Sequence, residues 1–135
     1  MTEIIQYSCF NIKQESKKEL VDLFPPRFPL VVCDHITHTF GYLPRVRPII
    51  EIINVVGEII SDNIQVLICE VNGSYIRPDE QVYHITHSKL DTHVPDMSCK
   101  AAIAELGLGL FGEFVPIMDY KYEIREYLIP YLGVR

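Results

Sequence analysis

The sequence predicts an α+β domain in which strands outnumber helices, and three observations predict it. Short runs rich in β-branched and aromatic residues recur along the chain, bounded by turn residues. Two short stretches, in contrast, carry helical signals. A phrase one strand long also occurs twice, as His35-Ile36-Thr37-His38 and as His84-Ile85-Thr86-His87.

Taken in order, Ile4 to Ile12 reads as a first strand from Ile4, Ile5, Tyr7, Phe10 and Ile12. Gln14 to Phe24 places Leu20, Val21, Leu23 and Phe24 among Lys and Glu, an amphipathic helix that Pro25-Pro26 ends. Leu30 to Phe40 is the strand carrying the first copy. Alternation puts Cys33, His35, Thr37 and Thr39 on one face, and Ile36, His38 and Phe40 on the other. Gly41 to Pro48 is a loop, and the β-branched content of Ile49 to Ile60 favours another strand.

Ile64 to Val71 is a strand, and Asn72-Gly73 signals a tight hairpin because both central residues of a type I′ turn need positive φ. Ser74 to Ile76 pairs back, Arg77-Pro78-Asp79-Glu80 turns, and Gln81 to Ser88 is the second copy's strand. There His84, Thr86 and Ser88 share a face. Thr92 to Asp96 is loop, Ser98 can cap a helix over Cys99 to Leu106, and Gly107, Gly109 and Gly112 then break the chain. Glu113 to Leu128 holds one or two closing strands.

The chain has 135 residues with 48% hydrophobic and 22% charged side chains, which fits one globular domain spanning 1–135. A net charge of −6 gives no overall basic field for holding a long nucleic-acid duplex. A small nucleotide needs only a locally positive pocket. The four cysteines, Cys9, Cys33, Cys69 and Cys99, show no paired spacing, so buried free thiols are expected rather than disulfides or a metal site. Met1-Thr2-Glu3-Ile4 lacks a basic n-region followed by an apolar h-region and a small-residue cleavage site, so no secretory leader is expected. The most apolar stretch, Ile49 to Ile60, is too short and too polar to span a bilayer. A cytoplasmic protein without membrane contact is expected, and nothing in the sequence sets its oligomeric state.

Four of the five histidines lie in the two copies. Histidine is the side chain whose unperturbed charge change falls near neutral pH, which makes it a usual proton carrier. A His-x-Thr pair on a strand sets an imidazole beside a hydroxyl. Two such strands across a groove would place one imidazole to take a proton from an attacking oxygen and the other to give one to a leaving oxygen. The hydroxyls would then bind the non-bridging oxygens of a phosphodiester. The rate of such a site is bell-shaped in pH, its limbs belonging to the coupled pair. A single His-x-Thr is more often a strand with a satisfied core histidine; the doubling favours catalysis.

Two His-x-Thr strands separated by a few dozen residues resemble the 2H phosphoesterase superfamily, which includes LigT-like RNA cyclic phosphodiesterases. The run Val66-Leu67-Ile68-Cys69-Glu70-Val71-Asn72-Gly73, then Arg77-Pro78-Asp79, Tyr83-His84-Ile85-Thr86, Val94-Pro95 and Ser98, is similar to its "Swiss army knife" RNA-repair branch. That branch in turn resembles the cyclic phosphodiesterase domain of fungal tRNA ligases. The resemblance implies a bilobal fold of pseudo-twofold antiparallel sheets around a central groove, with flanking helices. It implies metal-independent, cofactor-free cleavage of 2′,3′-cyclic phosphate RNA ends or cyclic oligonucleotides. His35 and His84 would be acid and base, and Thr37 and Thr86 would bind phosphate. Phage proteins that degrade cyclic oligonucleotide immune signals belong to the same superfamily, and a compact acidic chain is compatible with them; the host cytoplasm would then be its location. The alternative is a non-catalytic nucleotide-binding module, a sponge, on the same fold.

The chain departs from the family where an apolar residue usually follows Thr. His38 and His87 stand there, expected on the back face, part-exposed or bonded to backbone carbonyls. A zinc site using all four histidines ranks last, because His35 and His38 point to opposite faces. Around the groove, Arg77 could reach a phosphate or stack on a base, or be a solvated turn arginine held by Asp79. Tyr42 is a candidate stacking platform or a partly buried tyrosine. Ser88 is a candidate third donor, and His93 is a surface loop residue.

Overall fold

The structure, a computed structural model, describes residues 2–49, 52–94, 99–106, 115–116 and 120–130. The expected cap Ser98 and the glycines Gly107, Gly109 and Gly112 lie outside them.

Strand β1 (Thr2–Ile12) leads into helix α1 (Gln14–Leu23), which has Glu15 in its first turn and buries Ser16 and Leu20. The stretch expected as one strand over Leu30 to Phe40 is instead two, β2 (Leu30–Val31) and β3 (His35–Phe40). Between them Cys33 takes φ 42°, a left-handed conformation that interrupts the extended run. Val32 and Cys33 nonetheless donate to the carbonyls of His87 and Thr86, both at 2.9 Å, which keeps the break against the second copy.

β4 (Ile53–Ile60) starts later than expected. The Asn72 side chain receives Ile52 N–H at 3.1 Å and donates to Ile49 O at 2.8 Å, and its backbone N–H donates to Ile52 O at 2.9 Å, so Asn72 ties part of the preceding stretch to the turn. β5 (Ile64–Val71) ends in the expected turn, with φ 50° at Asn72 and 86° at Gly73 and reciprocal backbone bonds between Val71 and Ser74. β6 (His84–Lys89), α2 (Cys99–Leu106), β7 (Val115–Pro116) and β8 (Tyr120–Pro130) complete the described elements.

All described pairings are antiparallel and form one sheet in the order β7-β4-β5-β6-β3-β1-β8, with β2 also on β6. The expectation was of pseudo-twofold antiparallel sheets around a central groove. One continuous sheet results because β3 and β6 pair directly, Ile36 opposite Ile85. These two residues hold the same place in the two copies, so a local twofold axis passes between them.

That symmetry extends outward. β1 lies on β3 as β5 lies on β6: Asn11, Phe10 and Cys9 face His35, Ile36 and Thr37, while Ile68, Leu67 and Val66 face His84, Ile85 and Thr86. Each ladder then skips one residue, between Cys9 and Ser8 and between Val66 and Gln65. The extra residue is His38 in one copy and His87 in the other, a β-bulge at the same place twice. Beyond it Ser8 Oγ bonds Thr39 Oγ1 at 2.7 Å, and Ser88 Oγ donates to Gln65 Oε1 at 2.6 Å. Ile12 N–H to Asp34 O and Cys69 N–H to Tyr83 O, both 2.9 Å, are likewise mates.

Apolar cores lie on both faces of the sheet. One core gathers Phe10, Leu20, Ile36, Leu67, Tyr83 and Ile85 under α1. The other gathers Val56, Ile59, Ile64, Val66, Ile68, Cys99 and Ala102 under α2. No helix among the described residues is long and apolar enough to cross a membrane.

Candidate active site

The two copies have the same burial pattern along their strands: part-buried His, buried Ile, part-buried Thr, buried His. Period-two alternation sends Ile36 and Ile85 into the α1-side core and turns His35, Thr37, His84 and Thr86 to the opposite face. The antiparallel register at Ile36–Ile85 sets His35 across from Thr86 and Thr37 across from His84. Side chains so opposed have Cβ atoms roughly 4.5–5.5 Å apart. Each imidazole therefore has a hydroxyl from its own copy along the strand and one from the other copy beside it.

These four residues line a cleft of about 210 Å³ together with Val32, Asp34 and Lys89. That is smaller than the roughly 300–1,000 Å³ of pockets that enclose a drug-sized ligand. It suits a phosphate and part of a sugar rather than a whole nucleotide.

Both rings are fixed through Nδ1. His35 Nδ1 is 2.9 Å from Asp34 Oδ2, and His84 Nδ1 is 2.9 Å from Val82 O. Carboxylate and carbonyl oxygens only accept, so both Nδ1 atoms carry hydrogen and donate. Burial would raise the Asp34 carboxyl, but hydrogen bonds from His35 and Arg125 outweigh it and hold the group below the usual carboxylate range. It is ionised at neutral pH.

The bulge decides where the remaining candidates go. Two consecutive residues at each bulge face the α1-side core, and alternation resumes one step later. Ser88, expected beside Thr86, is therefore fully buried on the other side, bonded to Gln65, and does not line the cleft. Thr39, expected on the face of His35, is its mate and donates to Tyr42 O at 2.8 Å. Lys89 is the residue that returns to the cleft, three positions after Thr86. Its ammonium donates to Val94 O at 3.1 Å. Lys89 and Asp34 were not anticipated as site residues: Lys89 is off the simple alternation, and Asp34 precedes the motif.

Arg77 also falls outside the cleft. It is buried and makes two bonds to Asp79, 2.8 Å from Nε and 2.5 Å from Nη2, while Asp79 accepts from Phe40 N–H at 3.3 Å. The pair acts electrostatically on His38 and Tyr83, behind the sheet, so it braces that face and is not solvated as one alternative expected. Tyr42 is 45% exposed and does not line the cleft. Among the described residues, the Tyr7 ring lies 6.0 Å from His35 and 6.2 Å from Phe40 between centroids.

His38 and His87 are buried on the back face, not exposed there. His38 Nδ1 is 3.0 Å from Tyr83 Oη, with the rings stacked, and His87 Nε2 donates to Phe24 O at 2.7 Å. Burial pushes both imidazoles below their usual range. The four motif histidines thus stand on two sides of the sheet, and among the described residues no group of three or more His, Cys, Asp or Glu is placed to hold a metal. All four cysteines are buried free thiols. Burial raises Cys9 and Cys33 to about 11, so neither is a ready nucleophile at neutral pH. Comparison with family models, curated proteins and solved structures gave no match to this chain.

Proposed function

We propose that the chain is a metal-independent phosphodiesterase of the 2H type, acting on 2′,3′-cyclic phosphate RNA ends or cyclic oligonucleotides. The observation that carries this reading is the meeting of the two His-x-Thr copies at Ile36–Ile85, which puts two imidazoles and two hydroxyls around one small cleft. The bilobal fold of that superfamily is the matching proposal for the architecture, supported by the twofold relation of β1, β3 and β8 to β5, β6 and β4.

The chemistry follows from the groups. One imidazole takes the proton of the attacking water or hydroxyl as the new P–O bond forms. The other gives its proton to the leaving oxygen as the old bond breaks. Thr37 and Thr86 donate to the non-bridging oxygens, and Lys89 offsets the charge that grows there. General acid–base groups of this kind contribute typically 10²–10⁴-fold each.

The test is hydrolysis, in the presence of EDTA, of a panel of 2′,3′-cyclic mononucleotides and 3′,5′-linked cyclic dinucleotides. His35→Ala and His84→Ala are each expected to lower kcat by about 10²–10⁴-fold. Full activity in both variants would overturn the reading. Tight binding with no product from the unaltered chain would make it a nucleotide-sequestering module instead. A 2′-deoxy substrate cleaved as fast as its ribose form would exclude attack by the neighbouring 2′-hydroxyl.

A further inference from the structure

The two rings of the cleft are held by different chemistry. Val82 O, which holds His84, is neutral, whereas Asp34, which holds His35, is charged and is itself clamped. Arg125 Nη1 donates to the same Asp34 Oδ2 at 3.2 Å. Arg125 in turn donates to Asn11 Oδ1, hydrogen-bonds the Tyr7 side chain and lies 3.7 Å from Glu123 Oε2. Asn11 donates to Glu123 and is the register partner of His35. The carboxylate behind His35 is thus set by β1 and β8 together. At the mate of Asp34 the second copy has Tyr83, which turns to the back face and bonds His38.

We propose that Asp34, held by Arg125, is a positioning residue that keeps the His35 proton on Nδ1 and supplies the counter-charge for its imidazolium, making His35 the proton donor and His84 the base. The assignment rests on the phosphodiesterase reading. In the step it describes, His84 Nε2 takes the proton of the attacking oxygen as that oxygen bonds phosphorus. His35 Nε2–H protonates the leaving oxygen as its bond to phosphorus breaks, and exchange with solvent then restores both rings. Among the described residues, the charged and titratable groups around His35 are Asp34, Tyr7 and Cys9 from β1, Glu123 and Arg125 from β8, and His84 and Lys89 across the cleft from β6.

Asp34→Asn keeps a hydrogen-bond acceptor and removes the charge; Asp34→Ala removes both. With the best substrate of the panel, Asp34→Asn is expected to lower kcat about tenfold with KM little changed. It should also move the basic limb of the pH profile to lower pH, because the imidazolium loses its counter-charge. Asp34→Ala should lower kcat about a hundredfold through lost ring orientation. Arg125→Lys should move kcat and the limb in the same direction by less. Nitrogen-15 spectra of the histidine rings in the substrate-free protein should show His35 as the Nδ1–H tautomer, and a mixture in Asp34→Ala.

An unchanged kcat and limb in Asp34→Asn, or an Nε2–H tautomer of His35 in the unaltered chain, would overturn the inference while the phosphodiesterase reading stood. An unaltered chain inert on the whole panel would overturn that reading, and the role assignment with it, whereas the ring spectra would still decide whether Asp34 positions His35. Should Asp34→Ala not fold, Asp34→Asn and Arg125→Lys carry the test.

Discussion

Around Ile36, strand β3 is preceded by Asp34 and ends at Phe40; around Ile85, the same places of β6 hold Tyr83 and Lys89. Between those ends the copies agree in burial pattern, in the bulge, in the flanking backbone bond and in a buried polar pair beyond it. What they share orients a histidine and a threonine out of the sheet. What differs is charge: Asp34 reaches the cleft from one copy and Lys89 from the other. A symmetric frame therefore carries an asymmetric site, which suits a reaction in which one ring must accept a proton while the other gives one.

After the roughly hundredfold loss expected of Asp34→Ala, the largest effect that tests this contrast lies at the far ends of the two strands. Lys89→Met removes a charge-assisted donor and should lower kcat/KM by about tenfold or more, with a weaker dependence on salt. Phe40→Met, at the mate position, should stay within about threefold. Equal losses at both positions would mean that the asymmetry has no bearing on substrate.

The reach of the sequence can be judged on these same residues. The Asn72-Gly73 turn, α1, α2 and the strand over Ile64 to Val71 were legible because their causes are local: turn φ, helical spacing, β-branched content. The outward face of His35, Thr37, His84 and Thr86 was legible because alternation needs only the strand itself. Ser88, Thr39 and Lys89 were misplaced or missed because a bulge is a property of two strands. One extra residue opposite Ser8–Cys9 or Gln65–Val66 shifts every later side chain to the other face. Arg125 reaches Asp34 across 91 positions of sequence, beyond any local pattern. Cys33 ends an extended run through a positive φ that its residue type does not announce.

The trailing histidines give a smaller, pH-dependent effect. Both are buried, so their folded values lie below the ordinary 6.5. Between the folded and unfolded values the unfolded chain binds more protons, so stability is lost as pH falls below about 6.5. The slope is at most about 1.4 kcal/mol per pH unit for each ring. Asp34 and Asp79 are held below 3.8, so their stabilisation is lost only at lower pH, and the window between about 6.5 and 5 isolates the histidines. Urea melts across that window should show a shallower slope in His38→Gln and in His87→Gln. Unchanged slopes would mean that the two rings are solvated, and the shared back-face role would fall.

The smallest effect separates Ser88 from the cleft. Ser88→Ala removes one donor to Gln65 Oε1, which still accepts Arg27 N–H at 3.0 Å, so no buried acceptor is orphaned. The loss should be about 1 kcal/mol. Its mate is less forgiving. Thr39 Oγ1 gives its proton to Tyr42 O, so the Ser8 hydroxyl donates to Thr39 Oγ1 and also accepts Thr39 N–H at 3.2 Å. Ser8→Ala therefore leaves a buried N–H without that acceptor and should cost about 2 kcal/mol. Neither change touches a cleft residue, so kcat/KM should stay within about twofold in both. A tenfold fall in kcat/KM for Ser88→Ala with an unaltered urea midpoint would put its hydroxyl back among the proposed phosphate-binding groups. It would also mean that the bulge at His87 does not set the face of the residues that follow it.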